Sequence, residues 1–212
     1  MKKVMSLFLS LCLVFSMAAV FTACRKDKDP KESGQAEVKA AFGDKDIETV
    51  MNELIAKAKE LDTDEFGLNS LEDAEREMLL YNTQLTAEDC EQVLGLSEEE
   101  FAQYVDCAVE NRLSNASWMT YSAVLVKLKD GADVESIANQ IISGTSPRRF
   151  GCLTPSCIQG GFSGQYVFFM ANGDISCQAF VDAVKALSEA DVTVITRDNT
   201  WSGGGLMGGL LG

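Results

Sequence analysis

The chain has 212 residues and a formal net charge of −14, and 46% of its residues are hydrophobic, which is typical of a globular protein. Such an acidic surface repels phosphates and anionic lipid headgroups, which argues against nucleic-acid binding. Histidine is absent, so Ser-His-Asp and Cys-His catalysis, a histidine general base and histidine-containing zinc sites are excluded. The catalytic chemistries that remain use carboxylates, a Ser–Lys pair or a metal held by oxygen ligands. The composition favours a non-enzyme without a cofactor.

The first 24 residues resemble a bacterial lipoprotein signal. Two lysines come early, residues 4–23 are almost wholly apolar, and Cys24 follows the small pair Thr22-Ala23. In such a signal the leading peptide is removed and the cysteine receives fatty acyl chains such as palmitate, which hold the protein on the extracytoplasmic face of the membrane. Two alternatives stay open. One is an uncleaved transmembrane helix, since about 20 apolar residues suffice, and the other is secretion after cleavage behind Ala23, which the bulky Phe21 disfavours.

The composition divides the chain into four segments. Residues 1–23 form the predicted signal peptide, and the charged residues 24–45 form a lipid-anchored flexible linker. Residues 46–198 form a single domain. Residues 199–212 are rich in glycine, which holds regular structure poorly, and form a flexible tail.

Apolar spacing predicts the elements of the domain. Val50, Met51, Leu54 and Ile55 lie on one face of a helix over residues 46–61. The elements that follow are a helix over residues 71–80, short helices that start near residues 86 and 97, an ambiguous segment at 101–109, a strand at 121–129, a helix at 134–142, a long loop at 143–164 with a short strand at 157–159, a strand at 165–171, a helix at 176–187 and a strand at 191–196. This order predicts an α+β fold in which N-terminal helices precede a small, mostly antiparallel sheet that helices cover on one face.

Seven cysteines are present, of which Cys12 leaves with the signal and Cys24 takes the lipid. The other five are Cys90, Cys107, Cys152, Cys157 and Cys177. An odd number cannot pair completely within one chain. The closest candidate disulfide joins Cys152 to Cys157 across a turn-prone loop. Buried thiols rank first among the interpretations, followed by one structural disulfide and then by a redox centre, since no Cys-x-x-Cys motif is present.

One acidic segment partly imitates a calcium-binding loop. Asp62, Asp64 and Asp73 occupy its first, third and twelfth positions, and Gly67 occupies the sixth. Phe66 stands where an oxygen ligand belongs. A solvated acidic loop between two helices is therefore the favoured interpretation, and no metal is predicted.

Two other groups of residues could bind ligands. Arg148 and Arg149 could hold a carboxylate or a phosphate bidentately, although a solvated loop is the more common setting for such a pair. Trp118, Tyr121 and Trp201 could form an aromatic platform for sugars, but packing in the core or at an interface is the default for such residues.

Three segments carry a resemblance to a known family. They are LTAEDCEQVLGLSEEEF at residues 85–101, AVLVK at 123–127 and GQYVFF at 164–169, and they follow the signal and an early helix. Over residues 50–188 the chain resembles the uncharacterised lipoproteins grouped as domain of unknown function 4358. The resemblance implies a location and a domain, and it assigns no catalytic residues.

Two functional hypotheses follow. The first is a membrane-tethered binding or protein-interaction module that contacts an envelope partner through its sheet face or through residues 143–164. The second is a cell-envelope enzyme that uses carboxylates or a Ser–Lys pair. A transporter's substrate-binding lipoprotein is a third interpretation, but such proteins need two lobes and a longer chain.

Overall fold

The computed structural model describes residues 40–114, 120–150 and 153–197. Within these ranges the helices are α1 Ile47–Leu61, α2 Cys90–Leu94, α3 Glu98–Tyr104, α4 Val134–Gly144 and α5 Asp174–Leu187. The strands are β1 Leu80–Gln84, β2 Val105–Leu113, β3 Ser122–Leu128, β4 Cys157–Ser163, β5 Tyr166–Asn172 and β6 Val192–Thr196. Short 3₁₀ turns lie at Leu68–Ser70, Ala74–Arg76 and Pro147–Phe150.

Local sequence signals account for the helix starts. The Asp46 carboxylate accepts a hydrogen bond from the Thr49 backbone N–H at 2.9 Å and caps α1. Ser97 and Glu100 form a reciprocal capping box at the start of α3, since each side chain accepts a hydrogen bond from the other residue's backbone N–H. These contacts satisfy backbone N–H groups that have no partner inside the helix.

The six strands form one sheet in the order β1-β2-β3-β5-β4-β6, and every neighbouring pair is antiparallel. The two central strands, β3 and β5, are almost entirely buried. The five helices of the described ranges and the antiparallel sheet confirm the predicted α+β class.

Helices cover both faces of the sheet, so the prediction of a single covered face was wrong. Successive residues of β3 enter different cores. Leu125 packs in a core with α1 and α5, whereas Val124 and Val126 pack in a second core with α2 and α4. We call these the α5 face and the α4 face of the sheet. A strand buried on both faces is apolar throughout, and its sequence does not reveal how many helical layers lie over it.

The order of the strands explains why both faces are covered. Strands β3 and β4 run parallel to each other, since both are antiparallel to β5, and α4 connects them. Strands β5 and β6 run parallel for the same reason, and α5 connects them. Each connection passes over one intervening strand, and both move toward the β6 edge of the sheet. The strands from which they start, β3 and β5, are antiparallel to each other. Two crossovers of the same handedness therefore place α4 and α5 on opposite faces of the sheet.

Two predicted elements differ in the structure. The segment predicted as a helix over residues 71–80 forms the 3₁₀ turn Ala74–Arg76 and then enters β1. The Asp73 carboxylate accepts hydrogen bonds from two backbone N–H groups of that turn, and pairing with β2 draws the following residues into the sheet. Strand β4 is longer than the predicted short strand at 157–159, because Gly160 and Gly161 permit a close approach of its neighbours. A Cβ at Gly160 would collide with the carbonyl oxygen of Phe168.

The domain begins before the predicted boundary at residue 46. Ala41 and Phe42 are buried in the α5-face core, and the Phe42 ring meets the Tyr166 ring edge-on with centroids 5.0 Å apart. The end of the predicted linker therefore belongs to the domain. None of the helices in the described ranges combines the length and the apolar character needed to cross a bilayer.

Candidate functional site

A buried ion pair lies on the α4 face. Arg149, in the 3₁₀ turn that follows α4, donates a hydrogen bond from Nη1 to Glu110 Oε1 on β2 at 3.0 Å, and each side chain is only 8% exposed. The Ser122 hydroxyl on β3 donates to the same carboxylate oxygen at 2.6 Å. We call Glu110, Ser122, Arg149 and Phe150 the arginine site.

Only one nitrogen of the Arg149 guanidinium is used within this site. Its Nε and Nη2 atoms are buried and have no hydrogen-bond partner among the described residues. The guanidinium carbon lies 4.7 Å from the centre of the Phe150 ring, so the ring covers one face of the planar group. Burial lowers the pKa of Arg149, while the Glu110 carboxylate opposes that shift. Since the shift starts from a very high ordinary value, the guanidinium keeps its charge.

A chain of polar side chains lies on the α5 face near the same end of the sheet. The Tyr121 hydroxyl donates to Asn111 Oδ1 at 2.7 Å, the Asn111 amide donates to Asn82, and the Asn82 amide donates to Asn52 on α1. Burial raises the pKa of Tyr121. These bonds satisfy buried groups and join α1 to the sheet. Tyr121 is therefore a core residue, and Trp118 and Trp201, its predicted partners in a sugar platform, lie outside the described residues.

A cavity of about 560 Å³ opens at the opposite end of the sheet. Its polar lining includes Asp44, Lys45, Lys127, Asp130, Gln165 and Tyr166. The Asp106 carboxylate lies 3.3 Å from Lys127 Nζ, and hydrogen bonding to this carboxylate raises the pKa of Lys127. Gln165 donates to Asp130 at 2.7 Å. Burial raises the pKa of Tyr166, which keeps its hydroxyl protonated at neutral pH.

Lysines in the described ranges do not activate serines. Each of the six contacts a carboxylate or a backbone carbonyl oxygen: Lys45 with Glu53, Lys57 with Glu60, Lys59 with Glu72, Lys127 with Asp106, Lys185 with Asp182, and Lys129 with the carbonyl of Ala102. A Ser–Lys nucleophile needs a lysine nitrogen within hydrogen-bonding reach of a serine hydroxyl. The described residues contain no such contact.

The acids of the calcium-like loop are engaged in local structure. The Asp62 carboxylate is buried and accepts hydrogen bonds from the backbone N–H groups of Asp64 and Leu68 and from the Ser176 hydroxyl. Asp64 accepts from the N–H of Phe66, and Asp73 caps a 3₁₀ turn. No group of three or more potential metal ligands occurs in the described part of the chain.

Four cysteines lie in the described ranges, namely Cys90, Cys107, Cys157 and Cys177, and the thiols of Cys90, Cys107 and Cys177 form no disulfide. Cys177 is fully buried, and its Sγ lies 3.4 Å from the carbonyl oxygen of Met170. Hydrogen bonding to Cys157, followed by burial, raises the pKa of the Cys177 thiol. Cys157 therefore faces Cys177 in this structure. Its predicted partner Cys152 lies outside the described residues, as does the lipidation candidate Cys24, so both assignments stay predictions.

The sequence pointed to only part of the candidate site. Arg149 was singled out with Arg148 as a possible anion-binding pair, but Glu110 and Ser122 were not. A signal for Glu110 was present, because this acid interrupts the apolar residues of β2 at a position that the alternating pattern directs into a core. The lining of the cavity gave no such signal, since it combines residues from turns that are distant in the sequence.

No family model, no curated protein and no solved structure matches this chain.

Proposed function

We propose that this chain is a lipoprotein anchored through Cys24 to the extracytoplasmic face of a membrane, of the kind grouped as domain of unknown function 4358. We further propose that its domain binds a small polar ligand. The anchor is supported by the apolar residues 4–23 and by the small residues before Cys24. Ligand binding is supported chiefly by the cavity next to the start of the domain.

The size and the lining of the cavity favour a small ligand that carries both charges. A volume of about 560 Å³ falls within the range of roughly 300–1,000 Å³ that is usual for small-molecule sites. The lining offers the carboxylates of Asp44 and Asp130 and the ammonium groups of Lys45 and Lys127. An amino acid or a short peptide presents one charge of each sign and could pair with both kinds of group.

Binding is better supported than catalysis. Lys127 is ion-paired with Asp106, Lys45 is ion-paired with Glu53 at 2.6 Å, and Asp130 accepts a hydrogen bond from Gln165. An enzyme of the second hypothesis needs a general base or a nucleophile near its substrate. These contacts instead hold the charged groups in fixed positions, which suits recognition of a ligand.

The anchor is tested by mass spectrometry of the protein extracted from the membranes of an expressing bacterium. We expect an N-terminal peptide that begins at Cys24 and carries acyl chains, together with loss of the acyl mass in Cys24→Ser. A wild-type protein that retains Met1, or one that begins at Cys24 without acyl chains, contradicts the proposal.

The ligand is tested by thermal unfolding of the mature chain carrying Cys24→Ser, in the presence of amino acids, short peptides and neutral sugars. A ligand that binds only the folded state raises the melting temperature. We expect zwitterions to do so, and we expect Asp44→Asn and Lys45→Gln to remove the effect.

Lys57→Gln is the matched control, because Lys57 also forms an exposed ion pair on α1 but does not line the cavity. Stabilisation by sugars alone, or a zwitterion effect that Lys45→Gln leaves intact, contradicts this proposal. Chemical conversion of a bound compound would favour the enzyme hypothesis.

A further inference from the structure

One edge of the Arg149 guanidinium carries buried hydrogen-bond donors without acceptors among the described residues. The side chain is more than nine-tenths buried, since only 8% of its surface is exposed. Its Nη1 donates to Glu110, whereas Nε and Nη2 have no hydrogen-bond partner among the described residues. These two nitrogens form the same edge of the planar group, and their N–H bonds point in parallel. Leaving both donors unpaired in the interior is costly, and an acceptor at this edge would remove that cost.

The surrounding contacts hold this edge in one orientation. Glu110 binds one end of the guanidinium, and the hydrogen bond from Ser122 holds the Glu110 carboxylate in turn. The Phe150 ring covers one face of the guanidinium. A planar group that is fixed at one end and on one face needs little further ordering to bind a ligand at the free edge.

The local charge favours a single negative charge on that ligand. Arg149 and Glu110 neutralise each other, and the nearby positive charge of Arg112 acts on Arg149 and contributes to its lowered pKa. The site and Arg112 together thus carry one net positive charge. A carboxylate carries one negative charge and two oxygens whose spacing matches two parallel N–H donors. A phosphate would bring more negative charge next to the Glu110 carboxylate.

We propose that Arg149 binds the carboxylate group of a small ligand through its Nε–H and Nη2–H donors. This site is separate from the cavity of the proposed function. Ser122 begins β3 on the α4 face, whereas Lys127, near the end of the same strand, lines the cavity. Binding at the arginine site does not depend on binding in the cavity.

The test follows the arginine Nε–H signals by ¹H–¹⁵N NMR in the mature chain carrying Cys24→Ser. Sodium acetate is the probe, and sodium chloride at equal ionic strength is the reference. The Arg149 signal is assigned through bonds, so the wild-type measurement does not depend on a variant that must fold. We expect this signal to shift saturably with acetate, while the signal of the exposed Arg76 follows the chloride reference.

Variants then test the geometry of the interaction. Arg149→Lys keeps the positive charge but removes the paired donors. Because this variant lacks the Arg149 Nε–H signal, its acetate binding is compared with that of the wild type through the backbone N–H signal of Phe150, and we expect it to be at least about tenfold weaker. Arg76→Lys is the control that should leave acetate affinity unchanged. An Arg149 signal that drifts like that of Arg76 overturns the proposal. A saturable response to inorganic phosphate without one to acetate overturns the assignment to a carboxylate.

Discussion

The Ser176 hydroxyl donates a 2.7 Å hydrogen bond to Asp62 Oδ2 and so joins the first turn of α5 to the residue that ends α1. The same carboxylate accepts hydrogen bonds from the backbone N–H groups of Asp64 and Leu68. Asp62 thereby shapes the turn after α1 and holds it against α5. A segment whose sequence partly imitates a calcium loop is in this structure a joint between two helices.

Removing the Ser176 hydroxyl, which donates to Asp62, should destabilise the fold. Ser176→Ala leaves the buried Asp62 carboxylate with one donor fewer, and we expect the free energy of unfolding to fall by about 1–3 kcal/mol. Urea denaturation followed by circular dichroism measures the change. The control is Ser136→Ala, at an exposed serine in the first turn of α4, which should change the free energy by less than about 0.5 kcal/mol. Equal effects of the two substitutions would show that the joint is unimportant for stability.

Breaking the buried ion pair should cost more than breaking an exposed one. Arg149→Met leaves Glu110 as an uncompensated buried charge, and we expect a loss of about 3–5 kcal/mol of unfolding free energy. Adding Glu110→Gln to that variant removes the charge and should restore part of the loss. Lys57→Met breaks an exposed pair with Glu60 and should cost less than about 1 kcal/mol. The wild type, Arg149→Met, Glu110→Gln, the double variant and Lys57→Met are compared by urea denaturation, and additive effects of the substitutions at Arg149 and Glu110 would contradict coupling between the two residues.

Stability should fall at alkaline pH because of Tyr121. Burial raises the pKa of this phenol in the folded protein, so the folded state holds the proton more tightly than the unfolded state does. The contribution of Tyr121 to stability is therefore complete at pH values below the pKa of tyrosine in the unfolded chain, which is about 10. This contribution decreases as the pH rises above that pKa. Phenolate absorbance and the urea midpoint, recorded from neutral pH upward, measure the effect. Tyr121→Phe loses the bond to Asn111 but should show a shallower decline with pH. Tyr81→Phe, at an exposed tyrosine, should leave the slope unchanged, and ionisation of Tyr121 before unfolding would refute this account.

The thiols should react with iodoacetamide in the order of their exposure. Cys90 and Cys177 are fully buried, whereas Cys107 is partly exposed. Burial raises the pKa of Cys90 and of Cys107, and hydrogen bonding to Cys157 with burial raises that of Cys177. Because the thiolate is the reactive form, we expect modification of Cys107 under native conditions and of Cys90 and Cys177 only in denaturant. Peptide mapping by mass spectrometry gives the order, and early labelling of Cys177 would contradict the buried position of its thiol.

Elements with a strong local pattern could be predicted from the sequence. The apolar spacing of α1, α4 and α5 identified these helices, and Ser97 marked the start of α3. The helix predicted over residues 71–80 failed, because pairing with β2 outweighed a weak amphipathic pattern in a segment that supplies β1. The glycines of β4 suggested a loop, whereas they serve the close packing of adjacent strands.

The arginine site, too, could be predicted from the sequence only in part. Arg149 drew attention because an arginine pair in an acidic chain is conspicuous. That it would be buried against Glu110 depends on β2 and the turn after α4 meeting, although 39 positions separate the two residues. No local sequence pattern predicts a contact between residues so far apart in the chain.

By itself the sequence determined the α+β class, the central strands and the helices around them, because periodic burial is a local property of each segment. The order β1-β2-β3-β5-β4-β6 was decided only in the tertiary structure. That order sends α4 and α5 to opposite faces of the sheet. Both helices cross the sheet in the same direction, but the strands that lead into them, β3 and β5, are antiparallel. It also brings Glu110 to Arg149 on one face and assembles the cavity at the far end. These arrangements depend on which strands become neighbours, and long-range packing alone determines that choice.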